Sequence, residues 1–570
     1  MQADERAEPG RARRARVAAS AWGLAGLVAM LAVGLALRLV GLTWGLPDAT
    51  HLFSYHPDEF HSLRGALSLA FGDPNPHFFN YGSLYLYLVA LAAALADCSL
   101  FTSVAQAVPG GPVMPEAIRA WTLDARVVTV IMGLGTIAAV WALGRRLWGE
   151  RGGLAAGLLL ALAPLHVLHS HYATVDVPGA LFVALALLFA VRMARAMTLR
   201  DAAWAGVAAG LAASVKYSGG LVLAAPLTAW IAAWWHARAT AEAERPPLAA
   251  LLLPPVLALA AFAATSPYTF LDWPSAWRDI SFEMAHMRAG DDLWLLATWP
   301  SGWLFHLSGL ALGTGFVMLA AAAVGLAVGI ANGRRELAPV VVFGLVAFAV
   351  MVGAQVRYAR YEIALLPVIA VLAAGVVSLD AQDDGRGRLA VAWRAAAVAV
   401  LIIGSTAGAG IVDHRMLHAL VQPDARGAGL RVIAVEVPAE GRVGLLTEPW
   451  FYHPPVDYCN GGVALRGNPL WGAYRRPVRE LVILGTDAQA LLRELPHAVV
   501  VTGWEVDAAL FAEDQRTVAF MAALDEAGYE PAPEPGAPAW RPGGRPPASD
   551  WLYPFPRVAI YLRAPTPGEE

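Results

Sequence analysis

Two stretches of the chain concentrate residues that can do chemistry. The first reads Tyr55-His56-Pro57-Asp58-Glu59-Phe60-His61 and continues as Asn75-Pro76-His77-Phe78-Phe79-Asn80-Tyr81-Gly82. The second reads His169-Ser170-His171-Tyr172-Ala173-Thr174-Val175-Asp176-Val177-Pro178. Each has a plainer reading. A proline followed by acids in a first turn is an ordinary helix start, which suits Asp58 and Glu59. Asp176 with Pro178 close behind also fits a helix cap. Aromatic residues are common at a bilayer interface. Paired carboxylates, amides and histidines crowded there are not, and a capping acid is free to have a second role.

Cations lie at the edges of apolar segments. Arg126 opens one, Lys216-Tyr217 follows another, and Arg357-Tyr358-Ala359-Arg360-Tyr361 closes a third. Ionisable groups at membrane depth are costly and usually serve a pathway, a partner or a ligand. Snorkelling explains one of them readily and several less well. The run from Ser266 through Asp272-Trp273 to Glu283, His286, Asp291 and Asp292 is long and apolar for a passive connection, which suggests a loop that closes over a site.

The elements that must carry these residues are membrane helices. Of 570 residues, 57% are hydrophobic and 15% charged, against about a quarter charged in soluble domains. The apolar surplus collects in blocks long enough to span a bilayer. The expected spans are 19–40, 125–141, 153–169, 177–191, 203–215, 219–235, 248–265, 312–330, 339–355, 363–379 and 390–411, which makes eleven. The first is too long for a signal h-region and reads as a retained helix. Arginine clusters at 11–16, 145–151, 192–200, 238–245, 334–335 and 386–394 fall at alternate span ends. Basic short loops mark the cytoplasm. The expected threading therefore has a cytoplasmic tail at 1–18 and a transmembrane domain at 19–412. Its outer loops are 42–123, 170–177 and 266–303, and residues 413–570 lie outside.

That last part changes character. Apolar runs at 443–446, 481–484, 499–502 and 558–562 alternate with a helical stretch at 507–527, as in a small α/β domain. Residues 530–550 are rich in Pro and Gly and read as a loop. The fold class is thus mainly α: a polytopic helical bundle with a small extracytoplasmic α/β domain. Cys98 and Cys459 both fall outside, where a disulfide is permitted. The net charge of −4 and the lack of a long basic run beyond the N-terminus give no sign of a nucleic-acid partner. No internal repeat is evident.

The ordered set of motifs resembles the GT-C superfamily, in particular the branch of protein O-mannosyltransferases and the aminoarabinose transferase of lipid A. The matching pieces are Asp58-Glu59, Leu123-Asp124-Ala125-Arg126, Gly144-Arg145-Arg146-Leu147-Trp148-Gly149, Ser170-His171-Tyr172 through Asp176-Val177-Pro178, Lys216-Tyr217, and Arg357-Tyr358 with Pro367. Together they span residues 19–379; the C-terminal part matches loosely.

The resemblance implies a multi-pass protein of the plasma or inner membrane, among membrane lipids. It implies a glycosyltransferase with a polyprenyl-phosphate-sugar donor and an acceptor that is protein, lipid or polysaccharide. Its leaving group is already a stable anion, so the site needs a carboxylate base and fixed positive charge rather than a strong acid. On this reading Asp58 is the base of a direct, inverting displacement and Glu59 places the acceptor or the loop. Asp176 is a second carboxylate or a ligand for a divalent metal. Arg126, Lys216, Arg357, Tyr358 and Arg360 face the donor phosphate. His56, Asn80, Tyr81, His171 and Tyr172 contact substrate. A metal is left open, with Asp58 and Asp176 as candidate ligands and His56, His61, His169 and His171 nearby. The competing readings are a transporter or flippase of lipid-linked sugars, which repeat symmetry would favour, and a non-catalytic scaffold.

Overall fold

The structure, a computed structural model, describes residues 8–99, 115–240, 244–290, 293–379, 388–460, 477–533 and 548–564. Helices dominate up to Glu436. Beyond Glu436 a five-stranded sheet packs with short helices.

Among the described residues eight helices are long and apolar enough to cross a membrane, or nine if the pair Gly302–Thr314 and Phe316–Ala331, bent by 101°, forms one span. That is fewer than the eleven expected, and two features account for the difference. The stretch Pro115–Ala161 is continuous but turns at Gly149, whose φ of 78° lies in the region that glycine tolerates. Its two arms fold back on each other, since a Cβ on Gly153 would meet Arg145 and the Trp141 carbonyl at 2.8 Å. The expected spans 125–141 and 153–169 are those arms. The helix Leu199–Val215 has only 17 residues, at the short limit of what spans a bilayer.

Several helices of the bundle hide one face and leave the other apolar and bare, while Leu366–Ala373 is buried on all sides. Leu252, Val256, Leu259, Leu345, Val350, Val400 and Ile403 are all exposed. In water such a belt is a liability; in a bilayer it is the lipid-facing surface. Arg38 is a buried charge whose partners all come from inside the protein. Arg38, fully buried near the end of Glu8–Leu39, donates to Ser170 Oγ, His166 Nδ1 and the carbonyls of Gly34 and Ala161.

Residues 266–290 and 293–303 form helices rather than an irregular closing loop, and Asp291 and Asp292 lie outside the described residues. They contain the helices Tyr268–Leu271, Trp273–Ala289 and Leu293–Thr298. Trp273–Ala289 exposes Trp273, Trp277 and Phe282, while Asp279 accepts from the Phe79 N–H. Trp273 and Trp277 share one face, while Asp279 and Glu283 make polar contacts from another, which suits a helix lying in the interface.

The last long helix, Arg388–Val421, runs past the expected boundary at 412. The sheet follows, with β1 Arg442–Leu445, β2 Glu480–Ile483, β3 Ala498–Thr502, β4 Tyr529–Pro531 and β5 Val558–Arg563. Their order is β2-β1-β3-β5-β4. β1 runs parallel to β2 and β3, whereas β5 is antiparallel to β3 and β4. β3 is buried throughout, as its unbroken apolar run requires. The helix expected at 507–527 is two, Gly503–Phe511 and Gln515–Glu526. Glu513 at φ 55° breaks it, and Asp514 caps the second by accepting from Thr517 N–H. β4 is a three-residue edge strand inside the stretch read as loop. Cys98 is exposed and Cys459 is buried.

Candidate active site

The two acids of the first outer segment part ways in the first turn of their helix, Glu59–Ala70. Asp58 is its N-cap but makes no capping hydrogen bond through its side chain. It lies 3.1 Å from Nη2 of Arg360 instead. Glu59 is fully buried and receives Arg126 two-fold, Nε to Oε1 and Nη2 to Oε2, each at 2.7 Å. Arg126 Nη1 donates onward to the carbonyls of Leu42 and Trp44.

Glu59 and Ser62 also fix the helix against the second outer turn. Glu59 Oε1 accepts from the Ala173 N–H at 2.8 Å, and Ser62 Oγ donates to the Ala173 carbonyl at 2.5 Å. Three residues apart on a helix, they share a face. The grip brings Asp58 close to the start of the next helix, Asp176–Arg195. There Asp176 Oδ1 lies 2.7 Å from Lys216 Nζ.

Lys216 sits in extended backbone where Leu199–Val215 ends. The run through Gly82 presses on that end, since a Cβ at Gly82 would come within 2.2 Å of the Ser214 carbonyl. Ser83 N–H and Ser214 Oγ share Ser266 Oγ as partner. Lys216 also stands 4.4 Å over the Tyr361 ring, and Arg360 stands 3.9 Å over Tyr358.

Two carboxylate–cation pairs thus converge, Asp58 with Arg360 and Asp176 with Lys216. Tyr81 reports their closeness. Burial first, then the Asp58 and Asp176 charges, push its hydroxyl well above the usual value, with Arg360 pulling the other way. The Asp58 and Lys216 side chains are each 21% exposed, so the cluster reaches the protein surface. Glu59 and Arg126 have 1% and 0% exposure, and theirs is a sealed contact. Burial alone would raise the Glu59 carboxyl, but Arg126 outweighs it and holds the group below its ordinary value.

The other candidates divide. His56 is buried, and its Nδ1 accepts from the Asp58 N–H at 3.2 Å. Burial, partly offset by Glu59, keeps it well below the usual histidine range and therefore neutral. Its ring lies 4.5 Å from Tyr172 and 4.4 Å from Tyr553. Tyr172 is fully buried among these rings and Trp44. Asn80 donates from Nδ2 to Glu283 Oε1, which ties the first loop to Trp273–Ala289.

Four assignments are not supported by this placement. Arg126 makes four hydrogen bonds inside the protein and has no exposed side-chain surface, so it is not presented to a phosphate. Glu59 is its sealed partner rather than an acceptor contact. His171 points both ring nitrogens at carbonyls, those of Val167 and Val40, away from the pairs. Arg357 donates to the Trp299 carbonyl and does not join Lys216 and Arg360. As for a metal, Asp58 and Asp176 are each occupied by a cation. Among the described residues no group of three or more His, Cys, Asp or Glu is placed to hold a metal ion.

Sequence reading missed Asp550 and Tyr553. Asp550, with no exposed surface, accepts from the N–H groups of Ala359 and Arg360 at 3.1 and 2.7 Å. Tyr553 OH accepts from Arg360 Nη1 at 3.1 Å.

The comparisons with known proteins bear on the same stretch of chain. Residues 120–267 match the family model described as dolichyl-phosphate-mannose-protein mannosyltransferase. They include Arg126, His171, Tyr172, Asp176 and Lys216. The expected resemblance to polyprenyl-phosphate-dependent glycosyltransferases thus holds over that stretch, about a quarter of the chain. No curated protein matches. Among solved structures, ArnT from Cupriavidus metallidurans bound to undecaprenyl phosphate aligns with 14% identity and a TM-score of 0.49, over 95% of this chain and 99% of that one. AglB from Archaeoglobus fulgidus, in complex with an inhibitory peptide and a dolichol-phosphate, aligns with 15% identity and a TM-score of 0.48, over 93% and 77%. The arabinofuranosyltransferase AftD from Mycobacteria aligns with 16% identity and a TM-score of 0.39, over 96% and 40%.

Proposed function

We propose that this multi-pass membrane protein transfers a sugar from a polyprenyl-phosphate lipid to an acceptor hydroxyl on the non-cytoplasmic face. The observation that carries the reading is the pairing of Asp58 with Arg360 beside Asp176 with Lys216 at an opening of the bundle. The family match over residues 120–267 supports the same class of donor. A donor phosphate is an anion and competes with the carboxylates for both cations. Arg360 presents a planar fork to it and Lys216 a point charge. As the phosphate takes Arg360, Asp58 is released from its partner with a free lone pair.

The acceptor oxygen then attacks the anomeric carbon. Its proton passes to Asp58, the new C–O bond forms, and the bond to the phosphate oxygen breaks with its electron pair. A single displacement inverts the anomeric configuration. The charge developing on the leaving phosphate is met by Arg360 and Lys216. Asp176 holds Lys216 in place before the donor arrives. No metal is needed for the step. The outward orientation of the site follows the alternation of the six arginine clusters. A reporter fused after Val421 tests it, since it must be active in its extracytoplasmic form and silent in its cytoplasmic form.

The direct test is purified protein with a radiolabelled polyprenyl-phosphate sugar and a mixture of candidate acceptors. Label leaving the lipid for an acceptor, with inverted configuration, supports the reading. Label that crosses vesicles while still on its lipid supports a flippase instead.

A further inference from the structure

The cation of the first pair is held in place by the other domain. Between the Ala338–Gly353 helix and Ala359, the backbone is extended at Tyr358, and a 3₁₀ helix then begins, Ala359–Leu365. The first N–H groups of any helix lack intrahelical partners. Here Asp550, 190 residues further along the chain, supplies both its oxygens to the N–H groups of Ala359 and Arg360. Its carboxylate has no exposed surface. Burying such a charge is costly unless it is fully hydrogen-bonded, so a packing role alone does not account for an acid there.

Three residues on, Tyr553 takes the Arg360 side chain. Its hydroxyl accepts from Nη1 while Nη2 faces Asp58. The Tyr553 ring is itself fixed, stacked on Trp504 at 5.9 Å and packed against His56 and Phe451. One short segment after the Pro/Gly-rich stretch thus sets both the backbone and the guanidinium of Arg360.

We infer that Asp550 and Tyr553 are positioning residues of the reaction centre, and that the C-terminal domain completes the site by aiming Arg360 at the donor phosphate. The inference rests on the reaction proposed above for Asp58 and Arg360. It makes the domain a part of catalysis, where the sequence shows only a small α/β domain.

The experiment uses the full-length protein in lipid nanodiscs. Asp550→Asn keeps the shape but turns one acceptor into a donor facing an N–H. Donor kcat/KM should fall about ten- to a hundredfold, the range for losing a charge-assisted hydrogen bond, with acceptor KM unchanged. Amide exchange at Ala359 and Arg360 should rise. Tyr553→Phe removes one hydroxyl from an otherwise intact ring and keeps the inference testable if Asp550→Asn folds poorly. It should lower donor kcat/KM about three- to tenfold. In an Arg360→Ala background it should do nothing further, because its effect runs through that side chain. A merely structural tyrosine would cost the same in both backgrounds.

Equal donor kinetics for Tyr553→Phe and the parent protein, or equal losses in both backgrounds, would overturn the inference and leave the proposed reaction standing. Should the parent protein transfer no sugar at all, the reaction itself fails. Binding of polyprenyl phosphate alone then decides: Tyr553→Phe must weaken it in the Arg360 background and leave it unchanged in the Arg360→Ala background.

Discussion

The pairs Glu59 with Arg126 and Asp58 with Arg360 start from acids adjacent in sequence and share one chemical type, yet they are built for different tasks. The first pair is bidentate, sealed, and supported by three backbone partners, the carbonyls of Leu42 and Trp44 and the N–H of Ala173. Every polar atom that it brings inside finds a fixed partner, as a buried charge pair requires. The second pair has a single contact at 3.1 Å and a partly exposed acid. A ligand can exchange into it without breaking the protein. Asp176 with Lys216 belongs with the second kind. Ion pairs near a membrane surface therefore serve as struts or as a reaction centre according to how completely the protein itself satisfies them.

The comparison can be broken first at the strut. Arg126→Ala strands Glu59 as a buried uncompensated charge and should cost about 3–5 kcal/mol of stability. Thermal unfolding and membrane yield should show it in the absence of any substrate. A well-folded Arg126→Ala protein with only a donor-binding defect would move Arg126 back among the phosphate contacts. Lys216→Ala should behave the other way round. Folding should be little changed, and donor kcat/KM should fall by an amount equivalent to about 1.5–3 kcal/mol.

Smaller effects sharpen the same contrast. His56 and His61 are both kept below the ordinary value by burial, although neighbouring acids oppose it. The unfolded chain takes up those protons from about pH 6.5 downward while the folded chain does not, so stability is full above that pH and falls as the pH drops below it. His56→Phe should remove up to about 1.4 kcal/mol per pH unit of that decline. Unfolding midpoints measured between pH 7 and pH 5 check this, and an unchanged slope would mean that His56 is not held neutral. The smallest expected effect is that of a chelator. Transfer should persist in EDTA and gain nothing from added Mg²⁺ or Mn²⁺. Loss on chelation with rescue by a divalent ion would show that Arg360 and Lys216 do not suffice for the phosphate.

What could be read from the sequence was set by which signals are local. Apolar blocks and arginine clusters act over a few turns, so the helices of the bundle were legible, including the two arms that meet at Gly149. Pro57-Asp58-Glu59 marked a helix start with two acids. It did not reveal which of them turns inward, because that depends on Arg126 arriving from another helix. Arg38 drew no notice in the sequence, because its partners His166 and Ser170 come from a segment more than a hundred residues away. Asp550 and Tyr553 follow a Pro/Gly-rich run with no periodicity, and their partners lie 190 residues back. No local pattern announces such a contact. The split at Glu513 was hidden for the opposite reason: the surrounding residues favour helix, and one left-handed residue overrides them.

The central claim is that Asp58 is a reacting group and not a helix start. Helix-start electrostatics are worth only about 0.3–1 kcal/mol, whereas a general base contributes roughly 100- to 10,000-fold in rate. The deciding measurement is single-turnover transfer by Asp58→Asn in nanodiscs with saturating lipid-linked donor. The account predicts a protein that inserts, folds and binds the donor while transfer falls at least about a hundredfold. Glu59→Gln, in contrast, should fail at the level of folding. Transfer at the parent rate by well-folded Asp58→Asn would contradict the account and shift the search for the base to Asp176.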